Sequence, residues 1–329
     1  MAANSLVRAN GPKRSSPEAL KAILSLALLA APAFAQTADD SRPIHVDVDV
    51  VNVLCTVSDK RGALVTDLGK EEFEIRENGR KQQIRYFTRE TDLPLTIAML
   101  LDVSGSVHAV LDDEREAAGQ FFDTVLRPTD HALLLGFSST LVLWQDFTPS
   151  SQRLRDALAQ LHAIRFRGLP PLGQPMPGTL LYDAIYQTAK GKLAGVPGRK
   201  AMLIVSDGLD NGSQKHLEDA VEAVQATNTI VYGVCYDQKF FGCAFLSSLA
   251  RPTGGQMFVT GKKRTLDEIF KIIEEELRSQ YSIGFTPANA AHDGKFRKLD
   301  VKVLTPGLRV SARRGYYAPS GPETGGEKK

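Results

Sequence analysis

Two uninterrupted apolar runs constrain this chain more than any other feature. Leu95 to Leu101 ends at Asp102, and the run from Ala201 ends through Ser206 at Asp207. Apolar runs without alternation predict strands buried on both faces, as in a parallel sheet covered by helices. The intervening segments supply those helices. Leu111 to Leu126 carries Ala118, Phe121 and Val125 at helical spacing, and Ser151 to Ile164 carries Leu154, Leu158 and Leu161. Further helices are expected from about Leu180, over 214–226, near 244–251, and from Thr265-Leu266-Asp267-Glu268, which has capping-box form. Strands are expected at His131–Ser138, Leu141–Phe147, Thr229–Cys235 and Gln256–Val259. The link between the first two is too short for a parallel crossover, so they should pair antiparallel. The expected fold class is α/β: a doubly wound, mostly parallel sheet with one antiparallel edge strand, over residues 93–278.

The flanks read as all-β. In the segment 44–90, Val46, Val48 and Val50 alternate with polar residues, and then Val51, Val53, Cys55 and Val57 take over the apolar phase. That slip predicts a bulge or a change of sheet. Phe73–Arg76 and Gln83–Phe87 flank Glu77-Asn78-Gly79, a hairpin-type turn signal. In the segment 279–319, strands are expected at Tyr281–Phe285, Phe296–Leu304 and Leu308–Arg314. Each flank is too small for an independent core, so the two are expected to pack together as a β-sandwich-like flanking domain. Residues 320–329, rich in Gly, Pro and charge, are expected to be a disordered tail.

Residues 1–35 read as an export signal. Arg8, Lys13, Arg14 and Lys21 precede the apolar stretch Ala22–Ala31, and Ala33-Phe34-Ala35 offers a cleavage site. The apolar stretch is shorter than a spanning helix requires. The expected location is therefore exported, periplasmic or secreted, with no membrane span after signal cleavage. The full chain carries a formal charge of +2, which provides no basic field for nucleic acid. Of the 3 cysteines, Cys235 and Cys243 are close enough in sequence to bridge, leaving Cys55 over; three buried thiols are the alternative.

In an open α/β sheet, ligands bind beyond the carboxyl ends of the strands. Asp102 and Asp207 both sit there. Ser104 and Ser106 follow Asp102 at two-residue steps, with Gly105 between them, and Thr179 opens a helix after the Pro/Gly-rich stretch 168–178. Two carboxylates and three hydroxyls are all oxygen donors, which select a hard divalent cation: Mg²⁺ first, with Mn²⁺ or Ca²⁺ as alternatives. Two carboxylates only neutralise such an ion. It stays electrophilic enough to take an acidic side chain from a partner, which suits binding rather than hydrolysis.

Leu101-Asp102-Val103-Ser104-Gly105-Ser106 resembles the Asp-x-Ser-x-Ser motif of von Willebrand factor type A (VWA) domains, their metal ion-dependent adhesion site (MIDAS). Gly178-Thr179-Leu180 resembles that family's Gly-Thr segment, and Ile204-Val205-Ser206-Asp207-Gly208 its strand-ending Asp-Gly segment. Pro177 stands where the family commonly has a second Gly. The resemblance implies that Ser104, Ser106 and Thr179 touch the metal, with Asp102 and Asp207 acting mainly through water. It also implies a protein partner supplying an Asp or Glu, as in cell adhesion. Glu275–Tyr281, Asp293–Lys298 and Arg313–Pro319 resemble an exported bacterial VWA-related group frequent in Acidobacteria. Asp210 is expected to cap a turn or helix, and Asp183 to serve the first turn of its own helix.

Two other readings compete: a scaffold whose metal merely stabilises the fold, and a phosphoryl-transfer enzyme using Asp102 as nucleophile. Haloacid dehalogenase-like enzymes need a second acid two residues later, where Ser104 stands. Gly-x-Ser-x-Gly does not occur. The expectation is a protein that is not an enzyme.

Overall fold

The computed structural model describes residues 50–89, 93–105, 111–162, 178–236, 240–261 and 264–321. All belong to one unit, Asp47–Lys329. The export signal, the strand expected over 44–49 and most of the tail lie outside the described residues.

The long apolar runs form the centre of a six-stranded sheet. Its strands are β5 (Leu95–Asp102), β6 (His131–Phe137), β7 (Leu141–Thr148), β8 (Arg199–Ser206), β9 (Thr229–Cys235) and β10 (Met257–Val259), in the order β10-β9-β8-β5-β6-β7. All pairings are parallel except β6 with β7, the antiparallel edge. Every residue of β5, β8 and β9 is buried, which explains the missing alternation.

Helices cover both faces. Ile97, Met99 and Leu101 of β5 pack on α1 (Leu111–Val125), α2 (Ser151–Gln160) and α6 (Leu266–Arg278). Ala98 and Leu100 face α3 (Leu181–Thr188), α4 (Leu217–Ala226) and α5 (Phe240–Ala250). The α6 start follows its sequence signal: Thr265 Oγ1 accepts from Glu268 N–H, and the Glu268 carboxylate accepts from Thr265 N–H at 2.9 Å.

The flanks build two four-stranded antiparallel sheets from both ends of the chain. One contains β1 (Val51–Ser58), β4 (Ile84–Arg89), β11 (Tyr281–Phe285) and β13 (Arg309–Ala312), in the order β13-β1-β11-β4. The other contains β2 (Phe73–Glu77), β3 (Arg80–Gln82), β12 (Phe296–Val303) and β14 (Gly315–Tyr317), in the order β14-β12-β2-β3. Val53, Cys55, Phe73, Ile75, Tyr281, Ile283 and Leu299 share one core between them. The Tyr281 hydroxyl ties β11 to the connection between β1 and β2, donating to Val65 O at 2.9 Å and accepting from Leu68 N–H at 3.0 Å.

The hairpin differs from the sequence expectation. Asn78 and Gly79 do turn the chain, with φ of 47° and 82°, but the returning strand is Arg80–Gln82. Ile84–Arg89 instead crosses to the other sheet and pairs with β11. Exposed Gln83 stands between buried Gln82 and Ile84, so both neighbours face the shared core while the strand changes layer. Local alternation alone does not reveal this corner.

Entry to and exit from the α/β domain are clasped together. Asp130 accepts from Leu95 N–H at 2.8 Å and pairs with Arg278 at 2.6 Å. Arg199 donates to Leu93 O at 3.2 Å and to Leu277 O at 2.6 Å. The Asp130 side chain is 2% exposed and Arg278 15%. Removing one member of a buried pair strands the other charge. Asp130→Ala should therefore cost about 3–5 kcal/mol, read as a lowered urea midpoint. A midpoint within error of wild type would contradict the clasp.

Candidate metal centre

β5 and β8 are neighbours, paired from Leu95↔Arg199 to Leu101↔Val205. The chain leaves β5 for α1 on one face and β8 for α4 on the other. Adjacent strands with diverging connections open a crevice at their carboxyl ends. Asp102 ends β5, and Asp207 follows β8 directly.

Asp102 is 0% exposed. Its Oδ1 accepts from Ser104 N–H at 2.9 Å and its Oδ2 from the Ser206 hydroxyl at 2.7 Å. These bonds turn the loop after β5 and hold Ser104 half-buried beside exposed Gly105. Burial raises the Asp102 carboxyl above the usual range; the Ser104 and Ser206 bonds oppose this, and the Asp207 charge adds to it. Asp207 is partly exposed, and its Oδ1 accepts from Leu209 N–H at 3.0 Å.

Thr179 is tied to the loop after β8. Its N–H donates to Asn211 Oδ1 at 2.6 Å, and its carbonyl accepts from Asn211 N–H at 3.3 Å. Leu180 N–H donates to Ser138 O at 2.8 Å. Asp102, Ser104 and Asp207 thus come together at two strand ends, and Thr179 is fastened to the loop that follows Asp207. Ser106, Pro177 and most of the 168–178 stretch lie outside the described residues.

Asp210 caps α3: its Oδ2 accepts from Tyr182 N–H at 2.9 Å and from the Ser213 hydroxyl at 2.6 Å. Asp183 stands in the first turn of α3, as expected, and it has a second role. Its carboxylate accepts from Gln214 N–H at 3.1 Å and Lys215 N–H at 2.9 Å, bracing the approach to α4 as well. Two backbone donors at the α3 start are met from another loop, Tyr182 N–H by Asp210 and Asp183 N–H by the Ser213 hydroxyl oxygen at 3.0 Å.

Sequence reasoning missed four contributors, Ser206, Asn211, Gly208 and Gly242, and left the Cys235–Cys243 bridge as one of two alternatives. Ser206 orients Asp102, and Asn211 holds Thr179; one precedes and the other follows Asp207 closely, the only local hint. Cys235 and Cys243 are disulfide-bonded, with Cα atoms 5.6 Å apart. Their bracket brings Gly242 against Gly208, which adopts φ of 78°. A Cβ on Gly208 would stand 2.2 Å from Gly242 O, and one on Gly242 2.0 Å from Asp207 O. Both positions require glycine because two backbones touch there. Cys55 lies apart, buried in the sandwich with its thiol pushed up to about 12 by burial.

Buried Glu114 of α1 sits against Tyr236 behind the site. Burial first, and the Asp102 charge after it, push its carboxyl up to about 8, against the opposing effects of the Tyr236 hydroxyl and Arg115. Among the described residues, no group of three or more His, Cys, Asp or Glu forms a metal cage.

No protein-family model and no curated protein matches the chain. Among solved structures it is similar to proximal thread matrix protein 1 from the mussel byssus, at 13% identity over 61% of this chain and 51% of that one, TM-score 0.49. A form of that protein with a zinc-occupied MIDAS motif aligns at 15% identity over 58% and 47%, TM-score 0.45. BatB from Bacteroides thetaiotaomicron aligns at 14% identity over 56% and 97%, TM-score 0.42. The chain spans about half the length of the mussel protein. The class of this protein rests on its own strand order: a doubly wound α/β fold with a crevice at the switch point.

Glu114 gives a pH signature. Its carboxyl titrates near its ordinary 4.5 when unfolded and about 8 when folded. Between these values the folded state holds the extra proton, so the group's contribution makes stability fall as pH rises. In metal-free buffer, Glu114→Gln should remove up to ~1 kcal/mol of that loss per pH unit. Urea midpoints of both proteins across this window test it; parallel curves would refute the assignment.

Proposed function

We propose that this chain is an exported VWA-type ligand-capture protein whose binding site is a divalent-cation centre. Asp102, Ser104, Ser106, Thr179 and Asp207 would hold the cation, Mg²⁺ in preference to Mn²⁺ or Ca²⁺, and an Asp or Glu of a protein partner would complete it. The observation that carries this reading is the convergence of Asp102, Ser104 and Asp207 at the switch point, where the charge of partly exposed Asp207 acts on buried Asp102. A divalent cation offsets that repulsion, and an all-oxygen donor set suits a hard ion.

The chain's own residues do the positioning. The Ser104 N–H and Ser206 hydroxyl each occupy one side of an Asp102 oxygen, leaving further lone pairs for water-mediated ligation. Asn211 fixes the Thr179 backbone, and the Gly208–Gly242 contact fixes that of Asp207. The bound ion supplies electrophilicity toward a carboxylate. A phosphoryl-transfer role is disfavoured because Ser104 stands where haloacid dehalogenase-like enzymes need a second acid. The Cys235–Cys243 disulfide supports an oxidising compartment. Among the described residues no helix is long and apolar enough to cross a membrane.

Saturating Mg²⁺ should raise the melting temperature by several degrees, since a ligand at 100 times its Kd adds about 2.7 kcal/mol. Asp102→Ala with Ser104→Ala should abolish the rise; the same rise in the double variant would sink the site. Immobilised wild type should retain an envelope or extracellular protein that EDTA releases, and Asp102→Ala should not. Metal binding without EDTA-sensitive capture would instead identify a stabilised scaffold.

A further inference from the structure

At the opposite end of the sheet, by the amino ends of β8 and β9, a cavity of about 430 Å³ lies between the α/β domain and the sandwich. Ligand pockets typically enclose about 300–1,000 Å³. Among the described residues its lining contains no Asp or Glu; it includes Arg199, Lys200, Arg313 and His292, beside Leu54, Ile230 and the Tyr317 ring.

Arg199 is committed to the clasp through Leu93 O and Leu277 O, while the hydrogen bonds of Arg313 and Lys200 go to neutral groups. The Arg313 guanidinium donates to Asn228 Oδ1 and, at 2.6 Å, to Asn52 O, and it stacks 5.4 Å from the Tyr316 ring centre. Its Nε is buried and has no hydrogen-bond partner. The side chain remains partly accessible, yet enough protein surrounds it that burial lowers its pKa to about 10. Lys200 Nζ donates to Val196 O at 2.8 Å, and burial lowers its pKa as well. Desolvated cations are costly unless paired with an anion.

We propose that this cavity is a second binding site, for a small organic anion: an oxyanion head against Arg313 and Lys200, and an apolar body against Leu54, Ile230 and Tyr317. Arg313 presents donors in a planar fork, the geometry that suits carboxylate or phosphate. The site is independent of the metal centre.

The test uses the full chain and the fluorescent anion 1-anilinonaphthalene-8-sulfonate, displaced by benzoate, phenyl phosphate or benzyl alcohol. At least one anion should displace the probe roughly tenfold better than the neutral alcohol. Whichever anion is stronger assigns the head group as carboxylate or phosphate. Arg313→Gln and Lys200→Gln should each weaken the anions roughly tenfold and leave benzyl alcohol unchanged. Ala226→Trp, which fills the exposed rim without changing charge, should abolish displacement, while Asp102→Ala should leave it intact. Equal displacement by benzyl alcohol would overturn the proposal. So would wild-type anion affinity in either charge variant that melts like the parent, because a purely structural role predicts that result.

Discussion

Everything in this molecule is arranged around the parallel pairing of β5 with β8. Their backbones share hydrogen bonds along nearly their whole length, but their continuations diverge to opposite faces of the sheet. Divergence leaves no backbone to fill the space beyond the two strand ends, and polar side chains must occupy it. Two acids stand there. An N–H and a hydroxyl approach the buried one and offset part of its desolvation. The site is thus a by-product of topology, tuned by the three or four residues that follow each strand.

The same economy governs the domain boundary. Asp130 grips the first residue of β5 and the last residue of α6, while Arg199 holds backbone carbonyls on both sides of the junction. One carboxylate and one guanidinium therefore fix the two points where the chain passes between domains. The disulfide does comparable work at the other end of the sheet, holding a helix start against the Asp207 corner.

Much of this was legible in the sequence. Residues buried on both sides leave an unbroken apolar run, so β5 and β8 and their terminal acids stand out without any long-range information. The capping box of α6 and the short link forcing β6 and β7 antiparallel are likewise local. The rest depends on pairing at a distance. Asn211 reaches Thr179 across 32 positions, and Asp183 reaches Lys215 across 32; nothing in either neighbourhood specifies the partner. The crossing of β4 into the second sheet was hidden because Gln82 and Ile84 are buried by the same core from different layers. Gly208 and Gly242 read as ordinary loop glycines until their backbones are seen in contact.

The Tyr281 hydroxyl bonds a carbonyl 216 positions earlier in the chain, and β4 ends opposite the residue at which β11 begins. In topological terms the entire α/β domain is the turn of a single β-hairpin. Closing so long a loop as free chain is slow, since non-local contacts form only after their entropy has been spent. Once the domain has folded and its ends are clasped, the loop shrinks to the few residues between clasp and strand. Loop-closure entropy therefore favours an order of assembly in which the α/β domain folds first and the sandwich closes over its two ends afterwards.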